Sequence, residues 1–269
     1  MSFLRKSYYR LPPKWRFWVR RLYFAPADML FPRAGIPPRG LIFTGGGDFL
    51  ADGLAWKSRF QYFADLKPSQ DFLDIGSGIG RIALGLRGFL TGKYLGFDAV
   101  ETGIRWCQKH ISTANPHFQF IHLDIFNDLY KESGKRADQI SFPTEDESFD
   151  LAVAISVFTH MEPWEVEHYF REAHRCLRPG AKLLATFFVY EQGEQHIGPA
   201  HFSFPYRKEH HAYMDEQVKS ANVAFEKSHL QQMAEAAGFK VAHFEKGRWN
   251  GAPASAHNDF QDIFVFTKI

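Results

Sequence analysis

Between residues 71 and 190 the chain alternates between two hydrophobic patterns. Short apolar runs end at an acid or a glycine turn. Longer stretches between them repeat their apolar positions at helical spacing. Phe72, Leu73 and Ile75 form the first run, and Ile79, Ile82, Ala83, Leu84 and Leu86 begin a helix behind Gly76-Ser77-Gly78-Ile79-Gly80. Tyr94-Leu95-Gly96-Phe97 is a second run, closed by Asp98. Ile104, Cys107, Ile111 and Ala114 mark the following helix, which Asn115-Pro116 ends. Phe118–His122 alternates as a third strand. Residues 150–155 carry an apolar run, Leu151 to Ile155, flanked by Asp150 and Ser156, as in a parallel strand buried on both faces. Residues 163–177 predict a helix with Pro163 in its first turn and Val166, Phe170 and Leu177 on its inner side. Pro179-Gly180 turns the chain into a fifth strand, 183–190. A helix from Ser228, read as its N-cap, to Gly238 precedes two strands near 240–245 and 262–268.

Three segments stand outside this rhythm. Residues 1–40 are basic, aromatic and rich in proline, and Pro12-Pro13, Pro26, Pro32 and Pro37-Pro38 are expected to break up any long helix. Residues 128–148 read as a polar insertion forming a surface loop toward Pro143. Residues 191–227, with His196, His201, His210, His211, Phe202, Phe204, Tyr206 and Tyr213, interrupt the strand–helix order and are read as an acceptor-binding cap. The expected division is an arm, 1–40, and one α/β domain, 41–269, carrying the cap at 191–227. Residues 41–68 lead into the domain through a Thr44–Phe49 turn and a helix marked by Leu54, Phe60, Phe63 and Leu66.

The glycine turn carries the candidate chemistry. It is a cofactor site or a plain tight turn of similar spacing. Glycine lets the backbone approach a ligand, and the helix beyond offers free N–H groups. The dinucleotide fingerprint G-x-G-x-x-G/A needs a small third residue, where this chain has Arg81. Asp74 lies two residues before the first glycine, and Asp98 ends the next strand, where an acid can accept both hydroxyls of a ribose.

Leu73–Gly80 and Gly96-Phe97-Asp98 resemble the first two motifs of the class I S-adenosylmethionine-dependent methyltransferases. His122-Leu123-Asp124-Ile125, Ser148–Met161 and Leu177–Leu184 are similar to that family's third, fourth and fifth strand regions. The likeness covers roughly 50–190, and 228–269 more loosely. It implies a Rossmann-like, doubly wound, seven-stranded α/β sheet whose last strand is antiparallel. It implies S-adenosyl-L-methionine as cofactor. Gly76, Ser77, Gly78, Gly80 and Ser156 would border it, Asp74 would meet its ammonium, Asp98 its ribose, and Asp124 and Ile125 its adenine. Asp48, Phe49 and Arg59 become lid candidates. His160, emerging after the fourth strand, is the candidate base, with His196, His201 and Tyr206 behind it.

Composition narrows the partners. The nine basic residues of 1–40, against Asp28 alone, give that segment +8 of a total of +2 and leave −6 for the remainder. Interleaved aromatics and cations there suit an interfacial anchor, a polyanion or glycan contact, or an arm packed over the domain. An acidic remainder, and Ser156-Val157-Phe158-Thr159 where amino-directed base methylation would need a Pro-Pro-aromatic stretch, argue against nucleic acid. No H-E-x-x-H or paired Cys motif points to a metal. Cys107 and Cys176 read as reduced core thiols, and no apolar run reaches the ~20 residues of a membrane span, so a cytoplasmic protein is expected, with peripheral membrane contact through 1–40 as one of the readings of that arm. The acceptor is expected to be a small molecule or a glycan- or lipid-linked group. The alternatives are a non-catalytic cofactor-binding scaffold and a nicotinamide oxidoreductase.

Overall fold

The computed structural model describes residues 13–43, 47–126 and 134–269. Helix α1 spans Pro13–Leu30, and α2 spans Phe49–Ala64. Two strand–helix units and a third strand follow: β1 (Phe72–Ile75) with α3 (Arg81–Leu86), β2 (Tyr94–Asp98) with α4 (Glu101–Cys107), and β3 (Phe118–His122). Then come β4 (Phe149–Ala154), α5 (Pro163–Cys176) and β5 (Leu177–Tyr190). Short strands β6 (Tyr206–Arg207), β7 (His211–Tyr213) and β8 (Val223–Glu226) precede α6 (Lys227–Ala236), β9 (Phe239–Glu245) and β10 (Asp262–Lys268).

Strands β3, β2, β1, β4 and β5 lie parallel in that order. The reversal of direction at β1 and β4 makes the sheet doubly wound, and ligands bind such sheets at the carboxyl ends of these strands. Strand β10 runs antiparallel between β5 and β9. These seven strands form the α/β sheet the sequence implies. Three more extend it: the far end of β5, Phe188–Tyr190, pairs with β8, which continues through β7 to β6. The extra strands come from within 191–227, where two- to four-residue runs between turns gave no usable alternation.

Alternate residues of each strand feed two cores. Leu73, Ile75, Leu95, Phe97, Ala152 and Phe187 face α5 and α6, whereas Phe72, Tyr94, Leu151 and Val153 face α2, α3 and α4. A third cluster around Phe188, Phe204 and Trp249 ties β6–β8 to the turn before β10.

Several local expectations need correction. Pro26 lies inside α1 rather than breaking it. It is exposed and near the C-terminal end, so only one amide donor is lost, while Asp28 holds that end by accepting from the Arg39 and Gly40 amides at 2.8 and 2.9 Å. The polar insertion at 128–148 is not all surface loop: Ala137, Ile140 and Phe142 are buried, and the Arg175 guanidinium donates to the Phe142 and Thr144 carbonyls. Residues 127–133 lie outside the described residues. Leu177 opens β5 instead of ending the helix, and the Pro179-Gly180 turn is an irregularity within that strand, with Gly180 at φ +75°. Glu226, not Ser228, occupies the N-cap of α6, and the Ser228 hydroxyl donates to the Glu226 carboxylate at 2.7 Å.

Helix α2 reaches α3 through two glycines. A Cβ on Gly85 would stand 2.1 Å from the Gly53 carbonyl oxygen, and one on Gly53 would stand 2.5 Å from that of Arg81. Both obstacles are backbone, so neither helix yields cheaply. Gly85→Ala is expected to lose about 1–3 kcal/mol of stability through overpacking. Urea unfolding followed by circular dichroism measures it, and an unchanged midpoint would contradict this contact.

Candidate cofactor and acceptor site

The turn from β1 to α3 keeps three glycines in the left-handed region, Gly76 at φ +74°, Gly78 at +56° and Gly80 at +81°. The backbone amides of Gly76 and Ser77 both donate to the Phe97 carbonyl at 3.0 Å. Asp98 closes the junction. One carboxylate oxygen accepts from the Gly78 amide at 2.8 Å, the other from Val100 at 2.7 Å. Burial raises the Asp98 pKa, and those amide donors oppose the rise. On the far side, a Cβ at Gly103 of α4 would come 2.6 Å from the Gly78 carbonyl oxygen, so this glycine also lets the turn sit where it does.

A cavity of about 990 Å³ opens above this turn. Asp74, Gly76, Ser77, Gly78, Asp98, Ile125, Ser156 and His160 all line it. Gly80 does not: it is the N-cap of α3, and its Cβ position abuts Cys107 and Ile111. Asp124 is exposed and also away from the cavity. Its carbonyl accepts from the Lys135 amide, and Ile125, bridged to Lys135, turns inward in its place. Among the lid candidates, Asp48 caps α2, Phe49 is buried beneath the Arg81 guanidinium, and Arg59 faces the cavity. Tyr206 reaches the cavity; His196 and His201 do not.

Asp74 is fully enclosed and accepts a hydrogen bond from the Tyr94 hydroxyl. Burial, reinforced by Asp98, pushes its pKa up to about 7, although the tyrosine donor works the other way. Tyr94 was missed in the sequence. The pairing of Asp74 with Gly96 puts Tyr94, two residues before Gly96, on the same face, so strand register would have found it.

His160 ends a 3-10 turn after β4. Its Nδ1 lies 2.7 Å from the Ser220 carbonyl oxygen. Burial lowers its pKa, so the imidazole is neutral at pH 7. Ser156, at φ +57°, donates its amide to the Thr186 hydroxyl and its hydroxyl to Gln261. Trp56, Tyr169, Phe188, Asp259 and Gln261 also line the cavity without having been singled out in the sequence. They come from α2, α5, β5 and the β9–β10 connection, and no local motif joins them. The Arg59–Asp259 ion pair, 3.6 Å long, ties α2 to the β9–β10 connection, and Arg81–Asp52, 3.2 Å, ties α3 to α2. Among the described residues no group of three His, Cys, Asp or Glu side chains is placed to hold a metal ion.

A doubly wound sheet with a glycine turn, and an acid on the adjoining strand end, defines a nucleoside-binding α/β domain. The family model of the methyltransferase domain matches residues 73–185. Sterol methyltransferase-like 3 of Botryococcus braunii is 30% identical over 126 residues, covering 46% of this chain and 28% of that protein. The 27-O-demethylrifamycin SV methyltransferase of Amycolatopsis mediterranei (strain S699) is 30% identical over 125 residues, covering 46% and 40%. The chain thus spans less than half the length of these relatives. An S-adenosylmethionine-dependent methyltransferase structure from Mesorhizobium loti superimposes with a TM-score of 0.56 at 16% identity, covering 81% of this chain and 100% of that one. The [4+2]-cyclase SpnF shares the fold equally well, with a TM-score of 0.55, 19% identity, and coverage of 94% and 95%. Residues 73–185 thus match a methyltransferase domain, and the chain shares its fold with S-adenosylmethionine-dependent methyltransferases.

The residues present fit that family's cofactor. The Asp98 carboxylate faces the cavity, the Ser77 hydroxyl is buried there without a hydrogen-bond partner, and Ala99, Ile125 and Phe126 supply apolar walls.

Asp74 sets a pH dependence. Its folded pKa, about 7, lies above the unfolded value of ~3.9, so the native state holds the extra proton between them. Its contribution to stability is full below pH ~4 and is lost as pH rises through ~7. Denaturant titrations from pH 4 to 8 should show this decline in the wild type and a flatter profile in Asp74→Asn. Parallel profiles would contradict the assignment.

Proposed function

We propose that the protein transfers the methyl group of S-adenosylmethionine to a small-molecule acceptor, free or carried on a lipid or glycan. The observation that carries this reading is a single cavity running from the glycine turn to His160 and a group of aromatic side chains. Methyl transfer is an in-line displacement, and the main work left to the protein is alignment and exclusion of water. In this reading Asp98 holds the ribose, and the turn at Gly76–Gly78 lets the backbone approach the methionyl part. Asp74 meets the ammonium in its ionised form, with Tyr94 keeping the carboxylate oriented. The sulfonium supplies the electrophilic methyl.

The acceptor would lie toward Phe188, Phe202, Phe260 and Tyr206, which line the same cavity. Tyr206 and Phe260 are each 41% exposed, so an entering apolar group would displace water from them. His160 would take the proton of an acceptor hydroxyl or ammonium. Its neutral state suits that role, and the Ser220 carbonyl fixes the ring. Cap segment 191–227 contributes Tyr206, Asp215 and Gln217 to this part of the cavity, which supports reading it as the acceptor-binding element.

Calorimetric titration with S-adenosylhomocysteine, beside NADH, separates this reading from its alternatives. Binding of the thioether alone supports it, and binding of NADH alone overturns it in favour of an oxidoreductase. Thioether binding without turnover across a panel of acceptors and labelled donor would favour a scaffold. Asp98→Ala should weaken S-adenosylhomocysteine by the ~1.5–3 kcal/mol of a charge-assisted hydrogen bond. His160→Gln should lower kcat and leave that affinity unchanged.

A further inference from the structure

Helix α1 is amphipathic with its apolar stripe facing outward. Trp15, Trp18, Leu22, Tyr23, Met29 and Leu30 are 54–82% exposed. They recur three and four positions apart, together with exposed Val19 and Pro26, so they share one face. The opposite face is the one docked. Phe17 packs edge-on against Phe43 at 5.5 Å, and a Cβ on Gly40 would touch the Arg21 backbone at 3.0 Å. The helix is thus fixed to the domain by one side while presenting aromatic and aliphatic side chains to solvent on the other. A contiguous patch of this kind marks an interaction site.

Charge identifies the occupant. The exposed Arg21 and the half-buried Arg20, stacked on Phe24, stand on this helix. Its one acid, Asp28, is consumed by two backbone amides and by Arg39. Residues 1–14 add Arg5, Lys6, Arg10 and Lys14 in sequence and no acid. Two copies of this stripe packed together would bring like charges into one interface with no acid to offset them. An anionic bilayer satisfies both halves of the pattern: tryptophan and tyrosine settle at headgroup level, aliphatic side chains enter the acyl boundary, and arginines meet lipid phosphates. No helix among the described residues is long and apolar enough to cross a membrane, which fits a helix lying in the interface.

We propose that the outer face of α1, from Trp15 to Leu30, docks the protein on anionic lipid surfaces. The docked face carries Phe17, Phe17 touches Phe43, and Phe43 lines the cavity. Docking therefore sets the cavity close to the bilayer, whatever its acceptor.

Sedimentation of the full chain with vesicles tests this. The wild type should pellet with vesicles of equal phosphatidylcholine and phosphatidylglycerol and remain mostly soluble with phosphatidylcholine alone. Its tryptophan emission should shift to the blue on the anionic vesicles. Trp18→Glu with Leu22→Glu, exposed positions away from the cavity, should reduce partitioning roughly tenfold or more. Arg20→Glu with Arg21→Glu should reduce it by a similar factor, and added salt should mimic that loss. Failure of the wild type to pellet with anionic vesicles overturns the proposal. So does equal pelleting of wild type and Trp18→Glu/Leu22→Glu, or a stable dimer in solution that this variant dissociates without any lipid binding. S-adenosylhomocysteine titration of the same variants reads the cavity separately, so loss of docking and loss of the cofactor site are distinguishable.

Discussion

The bridge made by Asp98 is the interaction on which the site depends. A carboxylate at the end of β2 accepts from Gly78 in the neighbouring turn and from Val100 at the start of α4. It ties two strand ends and two helix starts to one side chain. The turn is pressed from every direction: Val157 closes on Gly76, the Gly103 backbone leaves room for Gly78, and Cys107 and Ile111 close on Gly80. A Cβ on Gly76 or Gly80 would press into these side chains, and one on Gly103 into the Gly78 carbonyl. The turn is therefore closely packed by its own neighbours, and if it holds the cofactor as proposed, such preorganisation would reduce the entropy lost on binding.

The acceptor end is built differently. Its walls come from α2, the loop after β4, β5, the segment before β8 and the connection from β9 to β10. Polar links hold these pieces together, namely Arg59 with Asp259 and with the His257 and Asn258 carbonyls, Ser156 with Gln261, and His160 with Ser220. Burial disfavours the charged Arg59, and Asp259 offsets that cost. Such links join segments far apart in the chain.

This division explains what the sequence disclosed. The cofactor end follows local rules: Leu73 to Gly80 is one strand, one turn and one helix start, and Asp98 ends the next strand. Periodicity and turn chemistry reach all of it. The acceptor end depends on contacts between residues far apart in the chain, such as Arg59 and Asp259, and no spacing rule links them. Asp124 and Gly80 mark the boundary. Both sit in readable motifs, yet one points to solvent and the other serves packing, because a motif fixes where the backbone goes before it fixes where each side chain points. The arm shows the same limit in reverse. Its prolines suggested broken structure, but a proline near the end of an exposed helix removes only one hydrogen bond, and tertiary ties at Asp28 outweigh that loss.

Asp74 and Tyr94 show why the two ends need to be physically distinct. A carboxyl buried beside Phe72, Tyr94 and the sheet is costly to ionise, and its pKa near neutrality records that cost. An arriving ammonium would return the missing charge partner, and the tyrosine hydroxyl already directs the carboxylate. The site thus holds an uncompensated group that a cationic ligand stabilises, whereas the ion pairs at the acceptor end are complete without one. Discrimination for the cofactor can then rest on a charge that only the correct ligand supplies. Under the proposed function, acceptor selection would fall to shape and apolar contact along Phe188, Phe202 and Phe260, which pack against one another beside the cavity.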